Sequence, residues 1–193
     1  MDHVDPPASA AWLHKDARRG FEVAFFERRR DGHSIEGHTT AVEEGEVWSV
    51  RYQIELDASW RTRHAHVIGR SRSGARTRSI DADGAGHWTI DGMAAPELDG
   101  CMDLDLESSS LTNSFPVRRL ALAVGQGADA PAAYVRAVDL RVERLEQTYR
   151  RNPDHAGCRL YAYASPAFGV ETVIVYDQYA LALDYPGIAV RIV

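Results

Sequence analysis

The stretch Trp48-Ser49-Val50-Arg51-Tyr52-Gln53-Ile54-Glu55-Leu56 has the clearest periodicity in the chain. Apolar and polar residues alternate along it, which is the pattern of a β-strand with one face buried and the other in solvent. Asp57-Ala58-Ser59 then marks a turn, and residues 60–68 form a second extended run, so the two segments are predicted to pair as a hairpin. The alternation also fixes the register, because a shift of one residue would turn the apolar set outwards.

Further extended runs flank this hairpin on both sides. Upstream, residues 21–30 and 33–42 are strand candidates separated by Asp31-Gly32, a dipeptide typical of hairpin turns. Residues 142–151 fit either a helical turn or a strand, and residues 98–115 are predicted as a long structured loop. The other predicted extended runs are residues 76–80, 87–90, 116–124, 132–142, 159–164, 168–176 and 187–193.

These runs predict the fold class. A sheet of about ten strands with little helix must curl or close to bury its inner face. We therefore expect a mainly β protein, with a single antiparallel, strongly curled open half-barrel over residues 21–193 that follows an N-terminal extension of residues 1–20. Its inward face is predicted to include the apolar members of the 48–56 stretch.

Composition and charge narrow the functional classes. The chain has 193 residues, of which 45% are hydrophobic, so a core can form without disulfides or a structural metal. The two cysteines are predicted to be reduced thiols in a cytoplasmic protein, because the start Met1-Asp2-His3-Val4 lacks the features of an export signal. No window resembles a membrane span, and the net charge of −6 disfavours bulk binding of nucleic acid. Integral membrane association and a nucleic-acid partner are therefore not expected, and the oligomeric state stays open.

Charge is distributed unevenly along the middle of the chain. Residues 51–78 contain seven arginines against two carboxylates, whereas residues 79–110 contain eight carboxylates and no lysine or arginine. The favoured interpretation is that the two segments pair across neighbouring strands. The alternative is a cationic wall for an anionic head group.

Motifs for catalysis or cofactor binding are weak. Gly125 to Ala130 matches a dinucleotide fingerprint, but Pro131 interrupts the helix that such a site needs, so a turn is predicted. His64 and His66 share a strand face without a recognisable third metal ligand. The acidic group lacks the Gly and Glu of a calcium loop, and its suitability for glycoside hydrolysis depends on distances that sequence spacing does not give. No metal or cofactor is predicted, and these acidic residues are expected to fix the loop by accepting hydrogen bonds: Asp99, Asp103, Asp105 and Glu107.

Two consecutive segments carry a resemblance to a known family. Leu98-Asp99-Gly100-Cys101-Met102-Asp103-Leu104-Asp105-Leu106 is followed by Leu111-Thr112-Asn113-Ser114-Phe115-Pro116-Val117-Arg118-Arg119-Leu120. Together they resemble the signature of the bacterial "putative glycolipid-binding" family, with an Asp-x-Asp-Leu step before Thr-Asn-Thr-Leu-Pro-Ile-Arg-Arg-Leu. The chain has Ala180 where the family usually has a glycine, a residue chosen for positive φ.

The resemblance implies a half-barrel similar to the periplasmic lipoprotein carriers, with a concave apolar face able to hold acyl chains. The function expected from it is non-catalytic binding of an amphipathic lipid or glycolipid in that face. A hydrolase or transferase acting on such a lipid is the first alternative. A protein-interaction module that uses a sheet edge is the second.

The candidate ligand-binding residues come from the signature and the first hairpin: Arg118, Arg119, Asn113, Thr112, Asp103, Asp105, Tyr52 and Trp60. The run 116–124 is predicted as a strand, so Arg118 and Arg119 should face opposite sides of it. The inward arginine is then expected either to grip a sugar or phosphate head together with Asn113, or only to clamp the acidic loop through Asp103 or Asp105.

Overall fold

The computed structural model describes residues 4–193, which contain seventeen strands and one α-helix. The helix α1 spans Ser114–Leu120, and single 3₁₀ turns span Pro96–Leu98 and Pro166–Phe168. The strands are β1 (Ser9–His14), β2 (Arg19–Arg29), β3 (Gly32–Glu43), β4 (Glu46–Asp57), β5 (Thr62–Ser71), β6 (Gly74–Ala82), β7 (Trp88–Ile90), β8 (Met93–Ala94), β9 (Asp103–Leu106), β10 (Gly127–Asp129), β11 (Ala132–Val135), β12 (Val142–Leu145), β13 (Thr148–His155), β14 (Cys158–Ser165), β15 (Val170–Tyr176), β16 (Ala182–Tyr185) and β17 (Ala189–Arg191).

Fourteen of these strands form one antiparallel sheet in the order β10-β13-β14-β15-β16-β17-β1-β2-β3-β4-β5-β6-β7-β8. Its two end strands do not pair with each other, so the sheet stays open, and the prediction of a mainly β, antiparallel open half-barrel is confirmed. The predicted number of about ten strands is too low, because strands of two to four residues, such as β8 and β10, are too short to show a period of two. The sheet also includes β1, which lies within the predicted N-terminal extension of residues 1–20 and pairs with both β17 and β2.

The alternation in β4 is confirmed, and it builds the core. Trp48, Val50, Tyr52, Ile54 and Leu56 are all buried, while the residues between them face outwards. The ring of Tyr52 lies across Gly37 of the neighbouring strand β3, where any Cβ atom would come within 2.1 Å of the ring. Its hydroxyl thereby reaches β2 and donates a hydrogen bond of 2.7 Å to the buried carboxylate of Glu22.

The inner face of β4 is covered by the chain itself. A second sheet, in the order β12-β11-β9, and the helix α1 contribute residues to the same buried cluster, including Leu104, Leu111 and Phe115. The expectation that acyl chains lie against the 48–56 stretch is therefore wrong, because the segment predicted as a loop folds inwards and fills that space. Within this segment, residues 103–106 form β9, which pairs in parallel with β11.

Two further local assignments were wrong, and one was open. The run 132–142, predicted as one extended segment, divides into β11 and the first residue of β12, with a turn between them. The run 116–124, predicted as a strand, contains most of α1, in which Pro116 occupies the first turn, where no intrahelical N–H bond is required. The segment 142–151 resolves as strand: it contains β12 and the beginning of β13. The 125–130 motif leads into β10, and no helix starts there.

The two oppositely charged segments meet at few points. Arg78 pairs with Asp91 at 3.1 Å, and His64 lies opposite Asp81 with 2.7 Å between Nδ1 and Oδ1. Other acidic residues of the 79–110 segment pair with arginines from the second half of the chain, as Glu107 does with Arg136. Only some of the charged residues in the two segments therefore pair with each other across neighbouring strands.

Within residues 4–193, no helix combines the length and the apolar character that a transmembrane segment requires.

Gly37→Ala tests the packing of Tyr52. The new methyl group must displace a fully buried ring, so we expect a loss of about 2–3 kcal/mol in the free energy of unfolding measured by urea denaturation. Gly127→Ala in β10 is the matched control, because its Cβ would meet its nearest neighbour at an ordinary 3.5 Å. Equal stability of the two variants would contradict the packing described for Tyr52.

Candidate functional site

Two arginines of α1 are divided between different environments. Arg119 forms a bidentate pair with Asp103 of β9, with 2.9 Å from Nε to Oδ1 and 2.6 Å from Nη2 to Oδ2. Burial raises the pKa of Asp103, and the Arg119 guanidinium acts in the opposite direction. This pair ties the helix to β9 as the clamping hypothesis expects.

Arg118 turns away from that pair, because adjacent helical residues are about 100° apart. Its guanidinium carbon lies 3.8 Å from the centre of the Trp60 ring, and its Nη atoms donate to the carbonyls of Tyr179 and Val4. Within residues 4–193 no carboxylate lies close enough to form an ion pair with Arg118. Burial lowers the pKa of Arg118 to about 10. The expectation that Arg118 and Arg119 lie on opposite faces of a strand is wrong, because both belong to a helix. Their side chains nevertheless point to different surroundings.

Asp105, two residues along β9, is a buried carboxylate without a cationic partner in the described chain. Its Oδ1 accepts a hydrogen bond of 2.8 Å from the Thr112 hydroxyl. The pKa of Asp105 is raised to about 6, chiefly by burial; the Thr112 hydrogen bond acts against this rise, and the nearby charges of Asp103 and Glu107 add to it. Such a group is costly to keep in a fold, and perturbed carboxyls of this kind concentrate at functional sites.

Asp105 lines a cavity of about 210 Å³, which we call the tyrosine cavity. The aromatic side chains in its wall are Tyr134, Tyr163, Phe168 and Tyr185. Its polar groups are contributed by Asp105, Asn113, Ser109, Glu107 and Arg18. The cavity therefore combines apolar ring faces with convergent hydrogen-bonding groups, which is the composition of small-molecule sites.

Internal hydrogen bonds hold these groups in place. The Asn113 amide donates to the Tyr149 hydroxyl at 2.9 Å, and the Asn113 carbonyl accepts from the Tyr176 hydroxyl at 3.1 Å. The rings of Tyr163 and Tyr185 meet edge to face with 5.8 Å between their centres. The site is thus preformed by contacts between β13, β14, β15 and β16.

The predicted site residues do not form a single site. Asp105 and Asn113 line the tyrosine cavity, with Thr112 orienting Asp105. Trp60, Arg118 and Arg119 line a second cavity of about 400 Å³, which we call the arginine cavity, and the two cavities share no lining residue. Tyr52 and Asp103 are buried and line neither cavity: Tyr52 is hydrogen-bonded to Glu22, and Asp103 to Arg119. The expectation that Asn113 and an arginine grip one head group together does not match this arrangement.

Sequence reasoning missed most of the tyrosine cavity. The signal available was the spacing of Tyr161 and Tyr163 in an extended run, together with eight tyrosines in the whole chain. That pattern marks one strand, and it contains no information that Tyr134 and Tyr185 would converge on it from distant strands.

Comparisons with known proteins agree with this fold. A family model described as "putative glycolipid-binding" matches residues 9–191. Among solved structures, the chain is similar to a crystal structure of a DUF1089 family protein from Pseudomonas aeruginosa, with a TM-score of 0.76 and 34% sequence identity. The similarity covers 89% of this chain and 92% of that one. No curated protein matches the chain.

Asp105→Asn tests the strain that Asp105 imposes on the fold. Because the folded pKa is raised, the contribution of Asp105 to stability is fully present below about pH 4 and is lost as the pH rises through about 6. Asparagine keeps the acceptor for Thr112 but carries no charge. We expect the variant to be more stable than the wild type at pH 8, by up to about 3 kcal/mol. Its free energy of unfolding should also change less between pH 4 and pH 7 than that of the wild type.

Urea denaturation at a series of pH values measures this effect. Asp129→Asn is the control, because it removes the charge of an exposed aspartate on β10. A stability profile of Asp105→Asn identical to that of the control would show that Asp105 is not a strained carboxylate.

Proposed function

Because the chain belongs to the family described as "putative glycolipid-binding", we propose that it binds an amphipathic molecule of the glycolipid class without catalysing a reaction on it. The polar part of this ligand enters the tyrosine cavity. The observation that carries the proposal is the buried Asp105 carboxylate, which faces an aromatic cavity and has no cationic partner within residues 4–193.

The lining chemistry suits a sugar. A pyranose ring has apolar C–H faces and hydroxyls around its edge, so it needs flat apolar walls and convergent acceptors and donors. Tyr163 and Tyr185 supply ring faces, and Asp105 and Asn113 supply polar groups on the same cavity wall. A ligand hydroxyl that donates to Asp105 would form a charge-assisted hydrogen bond, the stronger kind.

The size of the cavity limits which part of the ligand it holds. A volume of about 210 Å³ is below the roughly 300–1,000 Å³ of sites that enclose a whole drug-sized ligand. Phe168 lines the cavity and is 42% exposed, so it lies at the rim. The apolar chain of the ligand then leaves the cavity over Phe168, and it does not enter the filled inner face of β4.

A glycoside hydrolase is the second candidate, and one observation favours it. Asp105, whose pKa is raised, and Glu107 line the same cavity. A glycoside hydrolase needs such a pair of carboxyl groups, one as general acid and the other as nucleophile or general base. Both Glu107 oxygens are already engaged, by Arg136 at 3.1 Å and by the Ala137 N–H at 2.7 Å. These contacts assign the Glu107 carboxylate to holding Arg136 and the chain at Ala137 in place, so binding without hydrolysis is preferred. Release of nitrophenol from nitrophenyl glycosides, abolished by Asp105→Asn, would reverse this preference.

The sheet-edge alternative receives less support. The two edge strands of the large sheet, β8 and β10, contain two and three residues. Short edges offer few free backbone groups to a partner strand.

Calorimetry with octyl β-glucoside, kept below its micellar concentration, tests the proposal. We expect saturable binding that is tighter than binding of free glucose, because the alkyl chain adds apolar contact at Phe168. Asp105→Asn should weaken binding about tenfold, the effect of losing one charge-assisted hydrogen bond. Since the same variant is expected to be more stable than the wild type, weaker binding cannot be attributed to unfolding.

Asp129→Asn again serves as the control and should bind as the wild type does. A related glycolipid, monogalactosyl diacylglycerol in mixed micelles, extends the test to a two-chain ligand. Failure of both probes to bind, or equal affinity of Asp105→Asn and wild type, would contradict a glycolipid site in the tyrosine cavity.

A further inference from the structure

The arginine cavity lies where the β2–β3 hairpin and the β4–β5 turn meet the end of α1. Its volume is about 400 Å³, and its lining is more polar than that of the tyrosine cavity. Five arginines line it: Arg28, Arg29, Arg30, Arg118 and Arg119. The only acidic residue among the described lining residues is Asp5.

Three of these arginines have carboxylate partners. Arg119 is held by Asp103, Arg28 by Asp5, and Arg29 by Glu27 at 2.8 Å. Within residues 4–193 neither Arg30 nor Arg118 forms an ion pair. The cavity therefore has an excess of positive charge after all of its ion pairs have formed.

Arg118 is the more unusual of the two. Only 5% of it is exposed, and its buried Nε has no hydrogen-bond partner in the described part of the chain. Arginines are rarely buried without an opposite charge, because the guanidinium loses its hydration. The two backbone carbonyls and the Trp60 ring that contact it carry no formal charge, so they compensate this loss only in part.

The floor of the cavity is also held in a costly conformation. Trp60 has a φ of 64°, in the left-handed region that bulky residues avoid. The Asp57 carbonyl accepts from the Trp60 N–H at 2.9 Å, and the Asp57 carboxylate accepts from the Ser59 N–H at 2.8 Å. The turn places the indole between His33, at 4.5 Å between ring centres, and the Arg118 guanidinium. Strained backbone conformations of this kind are found most often at sites where a side chain must be held in a fixed position.

We propose that the arginine cavity is a second binding site, which takes a phosphate monoester or free phosphate between Arg30 and Arg118, beside the edge of the Trp60 ring. A tetrahedral dianion supplies the negative charge that both arginines lack and accepts several N–H groups at once, which is the pairing that guanidinium groups favour. This site is independent of the proposed glycolipid site, because the two cavities have no lining residue in common.

Titration calorimetry with inorganic phosphate at low ionic strength tests the site. We expect saturable binding with one phosphate per chain, together with a change in tryptophan fluorescence that is absent in Trp60→Phe. Arg30→Gln should weaken binding about tenfold, since it removes one charge-assisted contact. Arg30 is exposed and unpaired within residues 4–193, so this variant is expected to fold normally.

Arg76→Gln is the matched control: it removes the same charge from an exposed position on β6, outside this cavity. It should retain the affinity of the wild type. Equal weakening in Arg30→Gln and Arg76→Gln would mean that phosphate responds only to net charge and would overturn the proposal.

Vesicles distinguish the two sources of the anion. Phosphatidylcholine vesicles with and without phosphatidic acid are sedimented with wild-type protein and with both variants. Binding that requires phosphatidic acid and is weakened only by Arg30→Gln identifies a lipid head group as the ligand. Saturable binding of inorganic phosphate without binding to these vesicles identifies a soluble phosphate. Both results support the site, whereas failure of phosphate and of vesicles excludes it whatever octyl β-glucoside does at the tyrosine cavity.

Discussion

The buried pair between Asp103 and Arg119 fixes the position of everything that lies inside the sheet. It joins β9 to α1 through two hydrogen-bonded contacts, and 1% of the Asp103 side chain is exposed. Breaking such a pair by removing one partner costs about 3–5 kcal/mol, because the other charge remains buried. Since β9 and α1 cover the inner face of β4, the same contact holds Leu104 and Phe115 in the core and sets the orientation of the helix. Each cavity has one of these elements in its wall: β9 contributes Asp105 to the tyrosine cavity, and α1 contributes Arg118 to the arginine cavity.

Most buried polar groups near this pair are hydrogen-bonded. Within residues 4–193, Glu22, Asp105 and Arg118 are buried charged groups that form no ion pair, and the last two line the cavities. Glu22 has no cationic partner among residues 4–193, but it accepts hydrogen bonds from Tyr52, Ser109 and the Ser110 N–H, so its role is structural. Among residues 4–193, Thr112 is the one residue that donates a hydrogen bond to the Asp105 carboxylate, and Arg118 contacts carbonyl groups but forms no ion pair. Buried charged groups without an opposite charge are expected at places where a fold has lost stability in exchange for function. This contrast, rather than cavity size, separates the two proposed sites from the remaining surface.

The sequence could predict the parts of the fold that follow a local rule. The period of two in β4 and the Asp31-Gly32 turn identified long neighbouring strands, because each signal lies within a few residues. The helix α1 escaped detection, since seven residues are too few to show a period of 3.6 and Asn113 makes no side-chain cap. Ala180 adopts a φ of 55° where the family has glycine, and the turn around it is held by the Asp177 carboxylate, which accepts from the Tyr179 and Leu181 N–H groups. The tyrosine cavity depends on strands far apart in the chain, which no local pattern encodes.

The family signature has a different meaning once its contacts are known. As a sequence it suggests a ligand-binding motif, yet the side chains of Asp103, Thr112 and Arg119 are hydrogen-bonded to other groups of the protein. These residues therefore position β9 and α1, and a substitution at them would alter the fold before it altered any ligand contact. Asp105 and Arg118, each next to or one residue removed from a clamping residue, are the buried charged members of the signature that form no ion pair in the described chain. The clamp holds one of them in each cavity, so a single short motif supplies a buried charge of opposite sign to each of the two proposed sites.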